Sequence, residues 1–301
     1  MTHIPVLQKE ILEYLDPRPN ENFIDCTIGE AGHSLAILEK TGPRGKILGI
    51  DWNPEIIQNT KYKIRDTEYK NRLILVCDNF VNLKEIVKKQ KFKKISGILF
   101  DLGLASWHLE ESKRGFSFLR NEVLDMRYNP LNPLTAEKIV NYWSGEEIER
   151  ILREYGEEQF AKSIAKEIIN HRKVRPINNT FQLVDIIKKA VPGWYQHQRT
   201  HFATRTFQSL RIVINNELNN LQITLPQALD ILKPGAKLTV ISFHSLEDRI
   251  VKNFFSAFAK GYGGQERKLE ILTKKPVRPS TKEINYNPRS RSAKLRAAEK
   301  I

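Results

Sequence analysis

The chain has 301 residues, 40% of them hydrophobic, enough for one large or two smaller domains around packed cores, and no apolar run approaches the length of a membrane span. With 49 Lys and Arg against 35 Asp and Glu, the formal charge is +14, which points to a polyanionic partner, most simply a nucleic acid.

Met1 to Leu15 has neither the basic stretch nor the cleavage site of a secretion signal, so a cytoplasmic location is expected. Leu7, Ile11 and Leu15 recur at helical spacing, which predicts a helix over His3 to Leu15. A strand follows at 23–27, with a single acid, Asp25, among apolar residues. It breaks into the turn Gly29-Glu30-Ala31-Gly32, and His33 opens a helical segment in which Leu35, Ile37 and Leu38 are apolar. Further strands are predicted at 46–51, Leu73 to Cys77 and Ile95 to Leu102, with helical stretches at 54–70 and 81–91 between them. Cys26 and Cys77 both fall in apolar strand-like runs and read as buried thiols, with neither a disulfide framework nor metal-ligand spacing. No metal is expected.

Alternating β and α units of this length specify an α/β fold with a parallel sheet, and ligands bind such sheets at the carboxyl ends of the strands. Gly29, Asp51, the run Asp78-Asn79-Phe80 and Asp101 all fall at those ends. A strand, a glycine turn and a helix form a nucleotide-cradling unit, because glycine lets the backbone approach a ligand and the helix start presents free N–H groups. Asp51 lies nineteen residues after Gly32, near the spacing of a carboxylate that bonds a ribose hydroxyl. A dinucleotide fingerprint starting at Gly29 needs glycine at 31 and 34, where this chain has Ala31 and Ser34. That disfavours a nicotinamide-dependent dehydrogenase. An S-adenosylmethionine site needs no pyrophosphate cradle and fits better.

After Asp101 the β/α rhythm stops for about a hundred residues, and from 135 to 191 the pattern is helical. Ser144-Gly-Glu-Glu147 has the form of a capping box, and Pro192-Gly193 closes the last of these helices. The rhythm resumes with a helical stretch from Phe207 to Leu232 and a strand from Lys237 to Phe243. Residues 267–301 hold eleven Lys and Arg against three Glu and end in an expected edge strand, Lys294 to Ala298. The domains expected are 1–106 and 205–301 as two parts of one sheet domain, with 107–204 an inserted helical domain.

Several residues are candidates for chemistry. Asp101, at a strand end two residues before Gly103, can accept a hydrogen bond from an amine or satisfy nearby backbone N–H groups. Arg114 with Phe116 and Phe118 suits phosphate and base holding, and the same aromatics suit sealing the insert. Ser242, His244 and Asp248 lie too close in sequence for a hydrolase triad, whose members come from separate segments. His244 still sits at the sheet edge that would carry the target. His33 is placed to contact a cofactor or to cap its helix.

Taken together, HIPVL at 3–7, TIGEAGHS at 27–34, DLGLAS at 101–106, RGFSF at 114–118 and LDMR at 124–127 make a recognisable set. They continue with FQSLRI at 207–212, NNEL at 215–218, ISFHSLEDR at 241–249 and NPRSRSAKLR at 287–296. With these runs the chain resembles the bacterial ribosomal RNA small subunit methyltransferase H (MraW) family. The resemblance implies a class I, Rossmann-like S-adenosylmethionine-dependent methyltransferase sheet with an inserted helical domain. It implies methylation of the N4 amine of a cytosine in the decoding region of small-subunit (16S) ribosomal RNA. Substrate and partner would be that RNA, free or in the small ribosomal subunit; the oligomeric state, a homodimer included, is left open. The implied cofactor contacts are Gly29, Ala31, Gly32, His33, Asp51, Phe80, Asp101 and His108, with Asp101 the candidate for polarising the target amine. Phe116, Phe118 or Trp107 would hold the flipped base, and the basic tail and insert would grip the RNA. The chain departs from the family at Ala31, normally Gly, and at His108, normally Gln. An alanine at 31 is tolerable unless φ must be positive.

Overall fold

The computed structural model describes residues 4–261 and 266–301, so His3, the expected start of the first helix, lies outside it. The chain divides into two compact units, one made of residues 1–103 and 218–301 and the other of Leu104–Glu217.

The first unit is a seven-stranded sheet. Its strands are β1 (Asn22–Asp25), β2 (Ile47–Asp51), β3 (Leu73–Cys77), β4 (Ile95–Asp101), β5 (Lys237–Ser242), β6 (Leu269–Ile271) and β7 (Lys294–Lys300). They are ordered β3-β2-β1-β4-β5-β7-β6. β1 to β5 pair in parallel, with Phe23 opposite Ile47, Ile24 opposite Ile98 and Leu99 opposite Thr239. The middle residues of β1, β2, β4 and β5 are mostly apolar and buried, as strands covered on both faces must be, whereas β3, at the end of the sheet, keeps Ile74, Leu75 and Val76 only partly buried. The strand order reverses between β1 and β4, which opens a crevice at the carboxyl edge. β7 runs antiparallel to both β5 and β6. The order and the single reversed strand are those of the Rossmann-like sheet that the resemblance implies.

Helices cover both faces. α1 (Gln8–Leu15), α2 (Gly32–Lys40) and α3 (Pro54–Ile64) bury Ile11, Leu15, Ile37, Leu38 and Ile64 in one core with Phe23, Ile47 and Leu99. Leu7 holds a left-handed backbone, which is why α1 starts later than the apolar spacing predicts. α3 starts where Asn53 accepts the N–H groups of Glu55 and Ile56 at 2.9 and 3.4 Å and Pro54 takes the first helical position. On the other face α4 (Leu83–Lys89) contributes Leu83 and Ile86 to a core around Ile24, Ile98 and Phe100.

The second unit is helical: α5 (Ser106–Glu110), α6 (Ala136–Tyr142), α7 (Gly145–Gly156), α8 (Ala161–Arg172), α9 (Thr180–Ala190), α10 (Gly193–Gln196) and α11 (Thr204–Asn215). Its own core gathers Ile148, Ile151, Ile164, Leu183 and Ile187. Ser144 and Glu147 form the reciprocal capping box at the start of α7. α10 follows Pro192, so the helical run extends past the expected stop.

Back in the first unit, α12 (Glu217–Ile231) and α13 (Ser245–Lys260) pack Leu221, Leu225, Val251 and Phe255 against the same core as α4, and α14 (Thr281–Tyr286) precedes β7. Among the described residues no helix is long and apolar enough to cross a membrane.

Four expectations need correction. The helical stretch from 207 is two helices, because Asn216 takes a left-handed backbone at φ 51° and ends α11. The second boundary accordingly falls at 217, not at 204: Phe207, Leu210 and Ile214 of α11 lie in the helical core. The last strand is no edge strand, since β7 lies inside the sheet, its Leu295, Ala297 and Ala298 fully buried, and the three-residue β6 forms the edge. Cys77 also differs. Cys26 is buried, and that burial pushes its thiol well up, whereas Cys77 ends β3 exposed.

Candidate active site

The carboxyl edge of the sheet carries four acids, and each ends or nearly ends a strand: Asp25, Asp51, Asp78 and Asp101. Asp25 is buried and accepts the Ser34 hydroxyl at 2.7 Å and the Thr27 N–H at 3.1 Å. Burial pushes its carboxyl up against those hydrogen bonds. The Thr27 hydroxyl oxygen in turn accepts the Asp101 N–H at 2.7 Å. This Asp25–Thr27–Ser34 brace fixes the turn against β4. None of the three was a sequence candidate, although an acid inside an apolar strand signals a buried partner.

The turn itself is tight. Gly29 has φ 47° and Ala31 has φ 64°, both left-handed. Ala31 therefore occupies the one conformation in which its methyl is strained, by about 1–2 kcal/mol. Its position is fully buried, and it directly precedes α2 without a side-chain cap. Gly32 has a separate reason to be glycine: a Cβ there would lie 2.4 Å from Pro5 Cγ.

Asp51 closes on this turn. Its carboxylate accepts the Gly29 N–H at 3.2 Å and the Asn53 N–H at 2.9 Å, while Thr60 Oγ1 donates to the Gly29 carbonyl at 2.7 Å. Burial pushes the Asp51 carboxyl up to about 6, with the N–H donors of Asn53 and Gly29 opposing the rise. Phe80 follows β3 in a short 3-10 turn, its ring edge-on to Phe100 at 5.7 Å. Asn79 starts that turn by accepting the Val81 N–H.

His33 is buried, and its Nε2 lies 3.5 Å from Asp101 Oδ2. It does not cap α2. His33 Nδ1 and Asp101 Oδ1 are buried without a hydrogen-bond partner among the described residues. Such atoms are rare in folded proteins and mark places where a ligand completes the bonding. A carboxylate acceptor, an imidazole and a close backbone turn suit a nucleoside with an ammonium-bearing tail. S-adenosylmethionine is such a molecule.

His244 begins α13. Its Nδ1 faces the Glu247 N–H at 3.5 Å, and Glu247 accepts the N–H groups of Phe243 and His244 at 2.8 and 3.3 Å. It is a helix cap through Nδ1, while its buried Nε2, like His33 Nδ1, has no hydrogen-bond partner among the described residues.

The remaining candidates lie in the helical unit. His108 is buried among Phe116 at 5.0 Å, Tyr128 at 4.9 Å and Trp107 at 5.6 Å. Burial, with the charges of Arg114 and Arg211, pushes it down to about 3, so the ring is neutral. Phe116 is 6% exposed and stacks on Tyr128, while Phe118 stacks on His201 at 4.5 Å and meets Phe207 edge-on. Both therefore pack the insert, and of the three base-holding candidates only Trp107 is left outside its core. Arg114 donates to the carbonyls of Arg127 and Tyr128, and Arg127 makes a two-pronged pair with Asp125 at 2.8 Å for each bond. These arginines hold loops.

The family model described as the MraW methylase family matches residues 1–301. The chain belongs to the MraW methylase family. Its relatives include proteins named ribosomal RNA small subunit methyltransferase H from Heliobacterium mobile and Heliobacterium modesticaldum. Each is 46% identical, with 99% of this chain covered and 99% and 98% of the relative. A protein of that name from Thermotoga neapolitana is 44% identical over 99% of this chain and 96% of its own. Ala31, which the resemblance implies is a departure from glycine, stands where the backbone does have positive φ. His108 keeps one ring N–H as a donor because it is neutral.

Proposed function

We propose that the protein transfers a methyl group from S-adenosylmethionine to the exocyclic N4 amine of a cytosine in the decoding region of small-subunit ribosomal RNA, in the bacterial cytoplasm. The observation that carries this is the convergence of the 29–33 turn, Asp51, Phe80 and Asp101 on the carboxyl edge of a class I sheet, in a chain of the MraW family.

When bound, the cofactor supplies a methyl already activated by a positively charged sulfur. The protein's work is then alignment and exclusion of water. In this reading Asp51 accepts the ribose hydroxyls from a position set by its bonds to Gly29 and Asn53 N–H. The backbone of Gly29, Ala31 and Gly32 lies along the nucleoside, and Phe80 offers a ring beside it. Asp101, with one free oxygen and His33 behind the other, accepts a hydrogen bond from the target amine or the cofactor's ammonium. The cytosine amine is a weak nucleophile because its lone pair is delocalised into the ring, so a carboxylate acceptor that polarises it assists transfer. The base must leave its stack to reach such a site.

The test is mass spectrometry of small-subunit RNA from cells with and without the protein. The expected result is one cytosine N4-methyl group missing without it and restored by the purified protein with methyl-labelled cofactor. An unchanged methylation pattern, or label on a ring carbon, overturns the reading.

A further inference from the structure

The basic residues late in the chain fall into two sets. Lys294, Arg296 and Lys300 on β7 turn into the protein. The first two pair with Asp248 at 3.3 and 2.6 Å, and Lys300 Nζ donates to the Leu229 and Leu232 carbonyls at 2.8 and 2.7 Å. Lys274, Lys275, Arg278, Lys282, Arg289 and Arg291, in the connection between β6 and β7, are all exposed. Among the described residues no ion pair engages the first four of these. The single acid between 271 and 298 is Glu283, and it is buried, its carboxylate accepting the Leu7 N–H at 2.8 Å. The outward surface of this connection therefore carries positive charge alone.

Topology sets where that charge lies. β6 runs parallel to β1–β5 and β7 runs against them, with Ser242 paired to Lys294. The connection thus leaves and rejoins the sheet at the edge where Asp25, Asp51 and Asp101 stand. It is also fastened to the cofactor turn. Glu283 holds Leu7, and Asn287 Nδ2 donates to the Ile4 carbonyl at 3.1 Å. Pro5, between those two, packs directly on Gly32. A second lysine run, Lys88, Lys89, Lys91, Lys93 and Lys94, is equally exposed but precedes β4, at the opposite edge. Charge does not separate the two runs; position does.

We propose that the 274–291 connection is the surface on which the phosphates of the RNA substrate dock, holding the strand over the edge that carries Asp101. Lysines and arginines on a fixed segment supply the attraction, and Tyr286, 56% exposed at the end of α14, supplies a ring for an unpaired base. The proposal rests on the reading of ribosomal RNA as substrate.

The experiment compares the full chain with two variants, using an unmethylated small-subunit RNA fragment as probe. One carries Lys274→Gln, Lys275→Gln, Arg278→Gln and Lys282→Gln; the other carries Lys88→Gln, Lys89→Gln, Lys91→Gln and Lys93→Gln. RNA affinity is measured against salt, and S-adenosylmethionine affinity in parallel. The first variant is expected to lose on the order of tenfold or more in RNA affinity, and its logarithmic salt slope to fall by about 3, at about 0.7 per lost phosphate contact. Its cofactor affinity and the second variant's RNA affinity stay at wild-type values. An unchanged slope in the first variant, or an equal loss in the second, overturns the docking surface. Wild-type protein that binds RNA with these slopes but methylates nothing overturns the function instead and leaves the docking surface standing.

Discussion

At Ala31 the chain holds a side chain in a left-handed backbone at φ 64°. Ala31→Gly removes the clash of the methyl with the backbone but adds freedom to the unfolded chain, so the expected net gain is up to about 1 kcal/mol, read as a raised midpoint in urea denaturation. A lowered midpoint would mean that burial of the methyl outweighs its strain. Asp51 gives a second residue-scale prediction. Its folded carboxyl is pushed up to about 6, above the ordinary value near 4, so the folded state holds this proton more tightly than the unfolded chain does. The stabilisation is complete below about pH 4 and is lost as pH rises through about 6. Asp51→Asn should flatten the stability profile over that window and weaken S-adenosylmethionine binding; unaltered cofactor affinity would take Asp51 out of the site.

At the scale of elements, the start of α13 depends on one acid. Glu247 receives two backbone N–H groups, and Glu247→Ala leaves both without that acceptor at a largely buried position. The expected loss is about 2 kcal/mol in chemical denaturation, against a much smaller loss for Glu247→Gln. The strands, the glycine turn and the capping box at Ser144 were legible in the sequence because each is written in local residues at fixed spacing. So were Asp51 and Asp101, since a strand end fixes where an acid must lie. What stayed hidden depended on distant partners. His244 is the exception, since Glu247 lies only three residues on, at the same spacing as in the Ser144 box, and histidine is simply not among the usual capping residues. β7 read as an edge because only the three-residue β6, which carries little pattern, covers it. The break at Asn216 was invisible because the apolar spacing continues across it. Phe116 and Phe118 looked equally suited to a base or a core, and only the packing of Tyr128 and His201 against them decides for the core.

On the scale of the molecule, the two units keep separate cores: the helical one draws only on residues between 104 and 217. A fragment of residues 104–217 is expected to fold alone, with a helical circular dichroism spectrum and a single cooperative melt; a non-cooperative melt would show that its core is incomplete. The sheet unit has the opposite character, because its central strands come from both ends of the chain. β7 lies between β5 and β6, so Lys294–Lys300 must be in hand before β6 has any neighbour in the sheet. During synthesis, then, the helical insert can reach its final form while the catalytic sheet still waits for residues deep in the ribosomal exit tunnel. A sheet built this way closes last along β7, the strand that the exposed basic connection leads into.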